Sequence, residues 1–128
     1  MTEVVREWLA KASQDLQSAL SEIDRGDAPN WDLICFLSQQ CVEKLIKAAL
    51  IARRVVPPKT HDLVQLHRLL QEVESSWKWD ERELQFLSMS AVIYRYPGQW
   101  ADRDVATRAA EAARRLHDAL QPLLATPS

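Results

Sequence analysis

The run from Trp31 to Leu63 constrains the fold more than any other part of the sequence. Its pattern predicts one long helix, a proline break, and the start of the next helix. At about 100° per residue with Cys41 as origin, Ile34, Leu37, Leu45, Ala48, Ala52 and Val55 fall within about 40° of one line, an unbroken apolar stripe. Phe36, Ile46 and Leu50 give the opposite side a second apolar surface. A helix on the outside of a single chain is polar there, so the pattern predicts a helix covered on two sides. The second covering is assigned to another copy of the chain, a homodimer packed on Phe36, Ile46 and Leu50. Beside the stripe runs a polar row, Gln40, Lys44, Lys47 and Arg54.

The flanking sequence punctuates further helices. Thr2 is placed to cap a first helix reaching about Asp24, with Val5, Trp8, Leu9, Ala12, Leu16, Ala19, Leu20 and Ile23 on its inner face. Gly26-Asp27-Ala28-Pro29-Asn30 breaks the pattern, and Asn30 is the expected cap of the long helix. Pro57-Pro58 stops that helix, since neither residue donates a backbone hydrogen bond. Thr60 is the expected cap of a third helix whose first turn holds His61 and Asp62 and whose inner face holds Leu63, Leu66, Leu69, Leu70 and Val73. Ser75 to Asp80 reads as a connection. A fourth helix carries Leu84, Phe86, Leu87, Met89, Ala91, Val92 and Ile93, and stops at Tyr94-Arg95-Tyr96-Pro97-Gly98. The last begins near Asp102 or Asp104 and runs on alanines and leucines until Pro122. With only 2 glycines in 128 residues and no alternating strand pattern, the expectation is all-α. Specifically, it is one domain over 1–125, an up-and-down antiparallel four-helix bundle with an extra short helix, and a frayed tail at 126–128.

Charge and cysteine usage bound the function. A net charge of −2 opposes bulk affinity for DNA or RNA. Cys35 and Cys41 share one helix, roughly 9 Å apart along its axis, too far for a disulfide. As free thiols they suit a reducing cytoplasm, and no apolar run has transmembrane length. The first residues, MTEVVREW, lack a signal-peptide core, so a soluble cytoplasmic protein is expected. No metal ligand set or cofactor motif is present: His61 and His67 lie about 120° apart around a helix, and there is no HExxH, CxxC or glycine-rich phosphate loop.

Three features carry candidate chemistry. Lys44, Lys47 and Arg54 can line a phosphate groove, with Gln40 bonding a base or sugar; alternatively they form a solvated flank with Glu43 and Lys47 as an i,i+4 pair. His61, set after Pro-Pro-Lys-Thr beside the free N–H groups of a helix start, can hold an anion or act as an acid or base, or simply pack there. Arg95 can reach an anionic ligand bidentately, or satisfy helix-end carbonyls.

Cys35-Phe36, Gln39-Gln40, Glu43-Lys44 and Lys47, then Pro58-Lys59-Thr60-His61-Asp62-Leu63, and finally Arg95-Tyr96-Pro97, occur in an order and spacing that resembles the HEPN (higher eukaryotes and prokaryotes nucleotide-binding) domain. The resemblance spans nearly the whole chain. It implies a four-helix bundle that commonly forms homodimers. Members often accompany a minimal nucleotidyltransferase as its substrate- or nucleotide-binding subunit; others are metal-independent ribonucleases or toxins with an arginine followed by a histidine on one helix. Here no histidine follows Arg95 within reach, and Arg54 and His61 straddle the Pro57-Pro58 break. The reading is therefore a non-catalytic module holding a nucleotide near Gln40, Lys44, Lys47, His61 and Arg95, beside a nucleotidyltransferase partner. The alternatives are a metal-independent ribonuclease or toxin component, and a purely structural interaction subunit that needs only the face of Phe36, Ile46 and Leu50. No DNA or membrane is expected, and RNA enters only under the ribonuclease alternative.

Overall fold

Thr2 opens the first helix by accepting a hydrogen bond from the Val5 amide, and α1 then runs Glu3–Ile23. The computed structural model describes residues 1–125; the tail expected to fray, 126–128, lies outside the described residues. After a turn, Asn30 caps α2 (Trp31–Ala52) through the Leu33 amide. The chain continues through α3 (Leu63–Val73), α4 (Glu81–Ile93), α5 (Arg103–Leu120) and a 3₁₀ turn at Gln121–Leu124. Among the described residues there is no strand, and no helix is long and apolar enough to cross a membrane. The outcome is the expected all-helical bundle with one extra short helix.

The long helix ends earlier than the prolines require. Arg53 is its C-cap, and Arg54 adopts φ 61°, so the chain has left the helix before Pro57. The Arg54 and Val55 amides close this turn on the carbonyls of Ile51 and Leu50. Arg54 therefore drops out of the helical row to which Gln40, Lys44 and Lys47 belong. Arg53 fastens the same corner, donating to the Leu123 carbonyl at 2.6 Å and pairing with Glu74 at 2.7 Å.

The start of α3 is also displaced. Asp62, not Thr60, is the cap: its carboxylate accepts from the Val64 and Gln65 amides, while Thr60 Oγ1 accepts from the Asp62 amide. His61 thus precedes the helix instead of lying in its first turn. The Leu63 amide is taken by Ser88 Oγ on α4. The helix start is already satisfied from within, so an anion seated on free N–H groups is not the role of this turn.

α2 is the hub, packing against every other helix and the 3₁₀ turn. Its core stripe is buried as expected: Ile34, Cys41, Leu45 and Ala48 are inaccessible to solvent. The opposite face requires a correction. Ile46 and Leu50 are also completely buried, by helices of the same chain, and Phe36 is half-buried. The two-sided apolar pattern correctly implied two coverings, but both are intramolecular. Ile46 and Leu50 are core residues and present no face to a second copy. Exposed apolar residues are scattered over the chain, Val56 and Trp100 most of all, and one group of them, Met89, Val92 and Ile93 of α4 with Tyr96 just after it, lines a single groove.

The two tryptophans of the α3–α4 connection close one end of the core. Trp77 is buried, stacks on Trp79 with centroids 5.7 Å apart, and donates its indole N–H to His67 Nδ1 at 2.9 Å. Because Nδ1 accepts, the neutral ring carries its proton on Nε2, which lies 3.5 Å from Glu81 Oε2 without a hydrogen bond of good geometry. Burial pushes the His67 pKa below its ordinary value of 6.5; the Glu81 charge opposes this and Arg68 adds to it. A depressed histidine pKa means that the unfolded chain takes up the proton first. Stability is expected to be full above about pH 6.5 and to fall progressively as pH drops toward the folded-state value. Urea midpoints across this range should decline in the native protein. In His67→Gln, whose amide oxygen can still accept from Trp77, the part of the decline that begins at about pH 6.5 should be missing.

Candidate functional site

At the middle of α2 a carboxylate is buried. Glu43 is 5% exposed and receives three hydrogen bonds: from Gln39 Nε2 at 3.0 Å, His61 Nδ1 at 2.9 Å and Lys47 Nζ at 3.0 Å. The helix supplies Gln39 and Lys47 because residues four apart on either side of Glu43 share its face. Burial alone would raise the carboxyl pKa; the bonds from Gln39, His61 and Lys47, with the lysine charge, together outweigh it and hold the group below its ordinary value. Glu43 is thus an anion that orders three side chains around itself.

His61 is the outermost of the three. A carboxylate only accepts, so the ring donates from Nδ1, leaving Nε2 unengaged on a side chain that is 81% exposed. Its backbone carbonyl accepts a second bond from Gln39 Nε2 at 3.0 Å, which ties the segment before α3 to α2 at two points. Gln40 joins by donating to Gln39 Oε1 at 2.8 Å.

This network forms one wall of a cavity of about 230 Å³, lined by Phe36, Gln39 and Gln40 of α2, His61, Ser88, Ala91 and Val92 of α4, and Arg95. The Arg95 guanidinium lies over the Phe36 ring, 5.6 Å from its centroid, and forms no ion pair with any described residue. One uncommitted cation, one aromatic face, an oriented imidazole, a hydroxyl and two amides thus converge on one concavity. That inventory suits an anion attached to a planar, hydrogen-bonding group.

Of the residues singled out from sequence, the structure brings Gln40, His61 and Arg95 to this cavity and places Lys47 behind it, against Glu43. Lys44 is elsewhere: its ammonium pairs with Asp15, holding α1 to α2. One turn of helix thus divides the basic row, with each lysine neutralised by a carboxylate. Phe36, expected at an interface between chains, lines the cavity instead. In the sequence Gln39 is only a letter of a motif, and Glu43 is legible only as the i,i+4 partner of Lys47, not as the centre of a network. Ser88 carried no signal at all, although Ser88, Ala91, Val92 and Arg95 repeat at the spacing of one helical face. Among the described residues no cluster of side chains suits a metal ion.

The arrangement of helices has a counterpart among solved structures. The crystal structure of TT1696 from Thermus thermophilus matches with a TM-score of 0.80 at 20% sequence identity, covering 96% of this chain and 100% of that one. At such identity the likeness establishes the fold alone. No curated protein matches the sequence. The HEPN domain family matches residues 5–123, which include every element of the cavity and of the network behind it. The chain belongs to the HEPN domain family.

Proposed function

We propose that the protein is a non-catalytic nucleotide-binding module, with the cavity between α2 and the end of α4 as its site. The observation that carries this reading is the unpaired Arg95 guanidinium held over Phe36 beside the Glu43-oriented His61. Arg95 supplies the charge for a phosphate, Phe36 a stacking surface, and Gln40 hydrogen bonds to a base edge or ribose. Lys47 acts at one remove, by keeping Glu43 ionised and His61 in place. Lys44 contributes to the α1–α2 contact and not to the ligand. Family membership supports a minimal nucleotidyltransferase as the partner that this module serves; co-expression followed by co-purification tests that pairing.

A thermal-shift series with nucleoside mono-, di- and triphosphates tests the site. A ligand at 100 times its dissociation constant should stabilise the fold by about 2.7 kcal/mol, a rise of several degrees in a domain of this size. Arg95→Ala and Phe36→Ala should remove the shift, and Lys44→Ala should retain it. A shift that survives Arg95→Ala, or disappears in Lys44→Ala while the α-helical circular dichroism is unchanged, places the ligand elsewhere.

The cavity also favours a second reading, because it joins His61 and Arg95, the two groups a metal-independent ribonuclease needs, with Glu43 orienting the imidazole. RNA cleavage by the purified protein in the presence of a chelator, abolished by His61→Ala, would put this reading first.

A further inference from the structure

The cavity does not end at His61. A groove of about 850 Å³ between α3 and α4 opens from the same wall, and His61, Ser88 and Val92 line both spaces. By volume the smaller space accommodates part of a nucleotide, while the groove is of ordinary small-ligand size. We propose that the two spaces form one continuous site for a dinucleotide, two nucleosides joined through phosphate, one base in the cavity and the other in the groove. The inference rests on the binding reading above and extends it from a single nucleotide to a two-base ligand.

The shared wall has the right chemistry for the joining phosphate. Ser88 Oγ accepts from the Leu63 amide at 3.1 Å, which leaves its own O–H to donate to a phosphate oxygen, and the imidazolium form of His61, with Nδ1 on Glu43, donates a second bond from Nε2. On the cavity side, Phe36 and Arg95 offer the first base an aromatic and a guanidinium surface. On the groove side, Tyr96 is 62% exposed and Met89 58% exposed, a ring and a thioether left largely open to solvent. A base stacks on such a ring whatever its identity. Arg82, also in the groove and 92% exposed, has only a loose 3.7 Å contact with Asp80, while Arg68 and Glu81 at the rim neutralise one another. With Arg95 at one end and Arg82 along the other, positive charge brackets the path of a diester backbone.

Titration calorimetry with the four ribonucleoside 5′-monophosphates and the four matching 5′-phosphorylated homodinucleotides tests this directly. The best dinucleotide should bind about tenfold or more tightly than its mononucleotide, the gain expected of one additional stacked base. Tyr96→Ala should erase that advantage while leaving mononucleotide affinity as it was; Phe36→Ala should weaken both ligands. Met89→Ala, on the same groove lining, gives an independent reading of the advantage should Tyr96→Ala fail to fold. Mononucleotide binding with no dinucleotide advantage would overturn the two-space site and leave the single-nucleotide reading standing. No binding of either class would overturn that reading itself. Sedimentation of the same preparations completes the test: a dimer that Tyr96→Ala converts to folded monomers would assign the groove to a second copy and overturn the inference.

Discussion

Replacing Ile46 by Asp is expected to unfold the protein, and not to release folded monomers from an assembly. Ile46 has no solvent-accessible surface within its own chain, on a helix that packs against all the others. Substitution removes a branched aliphatic side chain, leaves a void, and sets a carboxylate within the hydrophobic core. The void and the buried charge together put the loss at about 4 kcal/mol or more, a large fraction of a domain's stability. Urea denaturation followed by circular dichroism reads the loss directly, and sedimentation of the same sample separates it from dissociation. A variant that keeps the native urea midpoint while its sedimentation coefficient falls would return Ile46 to an interface between chains.

The second large effect is expected at Glu43. In Glu43→Ala the Lys47 ammonium, whose side chain is only 11% exposed, loses its partner, Gln39 loses an acceptor, and His61 loses the group that fixes its ring. Breaking one side of a buried ion pair costs about 3–5 kcal/mol; Lys47 can relax toward water, so the lower end applies. Glu43→Gln, which keeps an acceptor oxygen without the charge, should cost less. The pH dependence follows from the same geometry. The folded-state pKa is held below the ordinary 4.5, so the contribution is complete above that value and is lost as pH falls through the folded-state pKa. An acid limb below about pH 4.5 should therefore be present in the native protein and shallower in Glu43→Gln. Nucleotide-induced thermal shifts should shrink in Glu43→Ala even where the fold survives, because His61 is no longer oriented, and less in Glu43→Gln, whose amide oxygen can still accept from the ring. A full shift in folded Glu43→Ala would show that the carboxylate serves stability alone.

What the sequence disclosed depended on how local the determining physics was. Thr2, Asn30, Asp80 and Asp102 all cap helices as their short polar side chains and neighbours suggest, because a cap is decided within four residues. Asp62 takes the role expected of Thr60 since a carboxylate satisfies two amides where a hydroxyl meets one. The end of α2 departs from expectation for a different reason: the prolines set the last position at which a helix can stop, while Arg54 in a left-handed conformation stops it sooner.

The site was harder to read. Glu43 and Lys47 were recognisable as an i,i+4 pair, an ordinary helical contact. Its importance comes from His61, which approaches from beyond the proline break at a distance no helical period encodes. The charge on Lys44 gave no hint that Asp15, on another helix, would claim it. Nor does an apolar face on a helix say whose surface covers it, so the same pattern that located the hub of the fold suggested a second chain where this one folds back on itself.

The position of α2 also governs how a bound ligand would make itself felt in hydrogen exchange. Every other element leans on this helix, so its amides become accessible to deuterium only when the entire domain opens. Phe36, Gln39 and Gln40 belong to it, so closing the cavity around a ligand protects the distant amides of Ala48 and Leu50 by the same factor as those beside the ligand. The turn after α1 exchanges through smaller openings and would keep its rates. Occupancy of the cavity is therefore legible from the slowest-exchanging protons of the molecule, those furthest from solvent.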